Sequence, residues 1–74
     1  EIEKNLSYLI MQKHKGLTVE VHPILYAYLT KGIFSSKLGK WKRKYKQRIK
    51  LKENTNYHLT EFHFFDESDE EIKL

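Results

Sequence analysis

The residues with the most distinct chemistry are the cations between positions 37 and 52, called here the basic segment. Nine of the fourteen Lys and Arg residues lie in it, and no acidic residue interrupts them. Cations at this density attract phosphate groups, which gives weakly selective and strongly salt-dependent binding to RNA. The side chains that we expect to contact RNA are Lys37, Lys40, Arg43, Lys44, Arg48 and Lys50. Two other interpretations stay open: a solvated face that keeps the domain in solution, and pairing with the acids of another copy.

The acids and histidines do not form a recognisable catalytic or metal-binding set. Five acids lie within the six residues Asp66–Glu71, and carboxylates need a rigid frame for acid–base work or magnesium binding. His58 and His63 are five residues apart, which places them on opposite faces of a regular strand. The chain has no cysteine, so a zinc site is disfavoured. We therefore expect no catalytic residues, no metal ligands, no cofactor and no small-molecule substrate in this chain.

Aromatic rings within the basic segment raise the question of base stacking. Single-stranded RNA is often bound by cations together with exposed aromatic faces. Trp41 and Tyr45 share a helical stripe with Leu38, and this spacing favours a place in the core over a stacking platform. The cations remain available for phosphates in either case.

Six elements are predicted to position these groups, in the order helix, strand, helix, helix, strand, strand. Gly16 and Gly32 end the first two helices, and Pro23 suits a first helical turn. Phe34-Ser35-Ser36 is a typical helix entry. The predicted elements are a helix from Ile2 to about Lys15, a strand Leu17–Val21, a helix from Pro23 to about Thr30 with Ile24, Leu25, Tyr28 and Leu29 on its buried side, a helix to about Lys46, a strand Arg48–Lys52 and a strand Tyr57–Phe65.

The last predicted strand does not keep one alternation of apolar residues. Tyr57 and Leu59 set one parity, whereas Phe62 and Phe64 set the other. Either a bulge near Thr60-Glu61 shifts the register or both faces are covered. Coverage of both faces in so small a domain indicates contact with another chain, and the residues that we assign to this oligomer interface are Phe62, Phe64 and Phe65.

The predicted fold class is therefore α+β, with a three-stranded sheet packed by about three helices. The last two strands form a hairpin through a turn at 54–56. Residues 1–66 form one small domain, and residues 67–74 form an acidic C-terminal tail. A chain of 74 residues has no room for a second core.

Composition narrows the class of protein further. The apolar runs are far shorter than the roughly 20 residues that span a bilayer, and no signal peptide opens the chain. The lack of cysteine fits a reducing compartment, so we expect a cytoplasmic protein without membrane contact. The first residue is Glu1 and not Met, which we interpret as a piece of a longer protein.

Several segments together resemble the C-terminal small domain of the ribonuclease E/G family, over about Leu17 to Asp66. The segments that carry the resemblance are Val19-Glu20-Val21-His22-Pro23, Ala27-Tyr28-Leu29, Gly32, the tryptophan-containing basic helix, Tyr57-His58 and Glu61-Phe62-His63-Phe64-Phe65-Asp66. The resemblance implies a parent endoribonuclease that depends on Mg²⁺, has a Zn²⁺ linker and cuts single-stranded RNA in processing and decay. The family's metal-binding aspartates and linker cysteines have no counterparts here. The resemblance also implies that this domain joins subunits, so we expect self-association.

A stand-alone RNA-binding module is the alternative. The order strand, helix, helix, strand, strand is that of the KH domain, which needs a GxxG loop between its helices to clamp the RNA backbone. The segment 31–36 has Gly32 but no second glycine in place. A small regulatory or ribosome-associated basic protein is disfavoured by the missing start methionine.

Overall fold

A computed structural model describes residues 1–32 and 36–74 of the chain. Within them the chain is α+β, with three helices and a four-stranded mixed sheet. The elements are α1 (Ile2–Met11), β1 (Leu17–Val21), α2 (Pro23–Thr30), α3 (Lys37–Tyr45), β2 (Ile49–Glu53), β3 (Phe62–Phe65) and β4 (Glu71–Ile72). In the part of the chain that is described, no helix combines the length and apolar composition needed to cross a bilayer.

The sheet has the order β2-β1-β3-β4, with β1 between the two strands that the sequence predicted as a hairpin. The prediction of a hairpin between these two strands is therefore wrong. β2 runs parallel to β1, and parallel neighbours need a long crossover, which α2 and α3 provide. β3 then pairs antiparallel with the other edge of β1, so residues 54–61 connect strands on opposite sides of β1.

The last predicted strand is shorter in the structure and begins at Phe62 instead of Tyr57. Residues 54–57 and 58–61 form two turns, in which the N–H of Tyr57 donates to the carbonyl of Asn54 at 3.2 Å and the N–H of Glu61 donates to the carbonyl of His58 at 3.0 Å. The change of parity therefore reflects the start of the strand. A bulge is not its cause.

The segment predicted as an acidic tail instead completes the sheet. β4 pairs antiparallel with β3, which makes the sheet four-stranded where three strands were predicted. The carboxylate of Asp66 accepts the N–H groups of Ser68 at 2.9 Å and Glu70 at 3.0 Å. A single Asx-type turn thus reverses the chain. The prediction of a tail rested on the number of acidic residues, which does not indicate such a turn.

Local signals fix where α2 and α3 begin. His22 caps α2 through its Nδ1, which accepts the N–H of Ile24 at 3.0 Å. Ser36 caps α3 by accepting the N–H of Gly39 at 3.0 Å, as predicted. Residues 34–35 of the predicted entry lie outside the described part of the chain.

The first helix ends earlier than predicted, at Met11 and not at about Lys15. Lys13 adopts a left-handed φ of 68°, and an L-residue in that region ends a right-handed helix. The chain then enters β1 through Gly16, whose φ is also positive, at 62°.

The core lies between one face of the sheet and the three helices. Alternate residues of β1 and β3 point into it, as strand geometry requires. Its buried members are Leu6, Leu9, Leu17, Val19, Val21, Leu29, Trp41, Ile49 and Phe64. Phe64 is only 1% exposed in the single chain, so its assignment to an oligomer interface is wrong: the protein's own helices cover this ring.

Candidate functional site

An apolar groove of about 740 Å³ lies between the start of α1, α2, α3 and the segment that precedes β3. Apolar side chains from all four regions contribute to it. The lining residues, which define the apolar groove, are Glu1, Ile2, Glu3, Ile24, Leu25, Tyr28, Leu29, Lys37, Trp41, Leu59, Thr60 and Phe62.

Three large side chains of this groove are exposed to solvent. Ile24 and Tyr28 are each 63% exposed and Leu59 is 52% exposed. The sequence placed Ile24 and Tyr28 on the buried side of α2, and this is wrong. The helix is apolar around most of its circumference, so periodicity alone could not identify which stripe faces the core; the structure turns Leu25 and Leu29 inward.

The rim of the groove carries charges of both signs. Lys44 donates to a carboxylate oxygen of Glu3 at 2.9 Å, and the hydroxyl of Tyr45 donates to the same oxygen at 3.1 Å. The hydrogen bond from Lys44 lowers the pKa of Glu3, and the same bond raises the pKa of Lys44. This contact ties α1 to α3, and Glu1 and Lys37 also line the groove.

The three phenylalanines predicted for the interface separate in the structure. Phe62 is half-buried and lines the apolar groove. Phe64 lies in the core, and Phe65, which is also half-buried, points to the other face of the sheet. Phe62 is thus the member of the three that borders an exposed apolar surface.

The six cations predicted to contact RNA are all exposed, on α3, at Arg48 just before β2 and at Lys50 within β2. Trp41 is 4% exposed and belongs to the core, as the stripe with Leu38 and Tyr45 predicted. The basic helix therefore presents cations around a buried indole ring.

The face of the sheet opposite the helices holds a polar cluster that the sequence did not reveal. His63 lies between two carboxylates, with Nδ1 at 2.8 Å from Glu71 and Nε2 at 2.8 Å from Glu61. Both bonds can form together when the ring is protonated and donates from both nitrogens. Accordingly the hydrogen bonds to Glu61 and Glu71 raise the pKa of His63, and the bonds from His63 lower the pKa of each carboxyl.

Three further side chains, Tyr57, Glu20 and Asn54, lie on the same side of the molecule, and the Tyr57 ring contacts the cluster. The ring of Tyr57 lies 5.0 Å from that of His63, and burial together with nearby Glu20 raises the pKa of Tyr57 to about 12. The amide of Asn54 donates to Glu20 at 3.1 Å. The polar atoms of these groups form hydrogen bonds with one another, and the bond from His63 in β3 to Glu71 in β4 links two strands. His63, Glu61 and Glu71 are called here the His63 clamp. No group of three or more potential ligands in the described residues could hold a metal ion.

A smaller polar pocket of about 320 Å³ lies near the start of β1 and the turn between β3 and β4. Both cations and acids line it. The lining residues, which define the polar pocket, are Lys15, Gly16, Thr18, Gln47, Arg48, Lys50, Asp66, Glu67 and Asp69. Two of the predicted RNA contacts, Arg48 and Lys50, thus lie beside acids of the same chain.

Comparison with known proteins gives no relative for this chain. No family model matches it, no curated protein matches it, and no solved structure matches it.

Proposed function

We propose that this chain is a non-catalytic assembly domain, whose apolar groove binds a second copy of the same chain. The observation that carries the proposal is the exposure of Ile24, Tyr28 and Leu59 around one groove. Scattered exposed apolar residues are ordinary, but a contiguous set with a charged rim is typical of interaction sites.

The size of the domain is compatible with such an interface. A stable protein–protein contact covers about 800 Å² on each partner, and the domain exposes 5462 Å² in total. A contact centred on the groove would thus use about a seventh of the surface. Tyr28 and Ile24 would lie at its centre, where an aromatic anchor contributes most to affinity.

The charges on the rim favour a second copy as the occupant. In a two-fold symmetric contact each surface meets itself, so a rim with both signs can pair with its own copy. Glu1 and Lys37 both line the groove, so Glu1 of one copy would pair with Lys37 of the other copy. Glu3 is already paired with Lys44 within the chain.

The basic segment adds an RNA-contacting surface to this proposal. Lys37, Lys40 and Arg43 are exposed on α3, and with Trp41 buried the binding would be electrostatic and weakly selective. A KH-like module would instead be monomeric, with Trp41 or Tyr45 stacking on bases.

The resemblance to the ribonuclease E/G small domain supports a proposal for the longer protein to which this chain would belong. On this basis the parent is a cytoplasmic endoribonuclease of RNA processing and decay. Its Mg²⁺ and Zn²⁺ would be held by residues outside this chain, since the family's metal-binding aspartates and linker cysteines have no counterparts here.

Analytical ultracentrifugation of the chain over a concentration series tests the assembly role. We expect self-association at micromolar concentrations, and its loss in Ile24→Lys, because a cation would be buried at the centre of the contact. Met11→Lys is the matched control, since Met11 is 77% exposed and lies outside the groove. A wild-type chain that stays monomeric, or an Ile24→Lys variant that associates like the control, would contradict the proposal.

A further inference from the structure

The polar pocket brings together cations that are far apart in the sequence. Lys15 precedes β1, Arg48 precedes β2, and Lys50 lies within β2. Three cations and three acids thus line one pocket of about 320 Å³, and without the acids the cations would attract a phosphate group. Arg48 and Lys50 also belong to the proposed RNA surface.

Across β1 from Arg48 and Lys50, the pocket is lined by the acidic turn, residues 66–69, which the fold holds in place. A Cβ atom on Gly16 would lie 2.9 Å from the Cβ atom of Glu67, so the turn packs directly against the chain at this glycine. The N–H groups of Ser68 and Glu70 donate to the Asp66 carboxylate, and these hydrogen bonds hold the turn in its conformation. The acids therefore stay beside the cations.

The cations and the acids of the pocket are near neighbours without being paired. Among the described residues, the ion pairs within 4.0 Å join Lys44 to Glu3, His63 to Glu61 and Glu71, and Lys73 to Glu71. None of them joins a cation of the pocket to an acid of the pocket. The cations thus keep their donors available, while the carboxylates that line the same pocket offset their field, an effect that salt screens.

We propose that the acidic turn competes with RNA phosphates for the cations of the polar pocket and so confines RNA to the cations of α3. This inference rests on the proposed RNA contact and adds its regulation: the chain carries its own anionic competitor at one end of the basic surface. Arg48 and Lys50 then contribute little to RNA binding while the turn is charged.

The test compares the RNA affinity of two double variants. One lacks two negative charges of the polar pocket, and the other lacks two negative charges elsewhere. Glu67→Gln with Asp69→Asn neutralises the pocket wall, and Asn suits the positive φ of 64° at position 69. The matched control is Glu53→Gln with Glu70→Gln, which changes the net charge equally at residues that do not line the pocket. Fluorescence anisotropy with a labelled single-stranded RNA measures affinity at low and high salt.

We expect the pocket variant to bind RNA about fivefold more tightly than the control at low salt, with a steeper salt dependence. Lys50→Gln should weaken binding strongly in the pocket variant and only slightly in the wild-type chain. Equal affinities of the two double variants, or an equal effect of Lys50→Gln in both backgrounds, would overturn the inference.

Elution from heparin separates this inference from the proposed function, because heparin is a polyanion and not an RNA. The pocket variant should elute at higher salt than the control. If no variant binds RNA at low salt, the RNA surface fails; if the two double variants elute together, the competition fails. Circular dichroism of each variant establishes that it is folded.

Discussion

Replacement of Phe64 by alanine tests whether the last strand belongs to the core of the single chain. The ring is 1% exposed and packs between the sheet and the helices. Removal of a buried phenyl ring costs about 3–5 kcal/mol, from lost burial and from the cavity left behind. A domain of 74 residues has a total stability of about 4–11 kcal/mol, so Phe64→Ala should remove a large part of it.

Urea unfolding followed by circular dichroism measures this loss. With a slope of about 1 kcal/mol per molar urea for a small domain, the midpoint should fall by roughly 3 M or more. Met11→Ala is the control, and at a position that is 77% exposed it should change stability by less than about 0.5 kcal/mol. A Phe64→Ala variant within about 1 kcal/mol of wild type, measured at concentrations where the chain is monomeric, would refute the placement of this ring.

Three further predictions concern pH, capping and packing. Because the pKa of His63 is raised in the folded chain, its contribution to stability is complete below about pH 6.5 and is lost as pH rises through the raised value. The pKa values of Glu61 and Glu71 are lowered, so their contribution to stability is lost as the pH falls into the acid range. The difference in free energy of unfolding between wild type and His63→Gln should therefore become smaller above neutral pH. A difference that does not change with pH would contradict the role of the His63 clamp. Ser36→Ala should cost about 1 kcal/mol in urea unfolding by removing the cap of α3, and no loss would mean that the cap is dispensable. Gly16→Ala should cost more than about 1 kcal/mol, because of its positive φ and the approach of Glu67; a neutral result would place the acidic turn elsewhere.

Local signals in the sequence predicted single elements well. The bounds of β1 and α2 were predicted correctly, since Gly16, the alternation of Leu17–Val21 and Pro23 act within a few residues of one another. The cap at Ser36 was equally local. Each of these features depends on neighbours in the chain, which a single sequence displays directly.

Features that depend on distant partners could not be predicted. The pairing of β1 with both β2 and β3 depends on a crossover of two helices, and the sequence has no residue that marks it. Residues 67–74 looked like a tail because their charges dominate, although the turn at Asp66 returns the chain to β3.

In the candidate sites, too, the features that were missed depend on residues distant in the sequence. α2 is apolar on most sides, so the exposure of Ile24 and Tyr28 follows from how the helix packs and not from its own pattern. The carboxylates around His63 come together only because β4 pairs with β3. Similarly, the acids of the polar pocket reach Arg48 and Lys50 through the fold of the sheet.

Intermolecular nuclear Overhauser effects test the assembly role of the apolar groove most directly. A sample that mixes isotope-labelled and unlabelled chains reports only contacts between copies. We predict such contacts between the ring of Tyr28 and the methyl groups of Ile24 and Leu59 on the other copy. The assembly role of the groove would be contradicted if no contacts between copies appeared at micromolar to millimolar concentration. It would also be contradicted if the contacts were confined to Phe65 on the opposite face of the sheet.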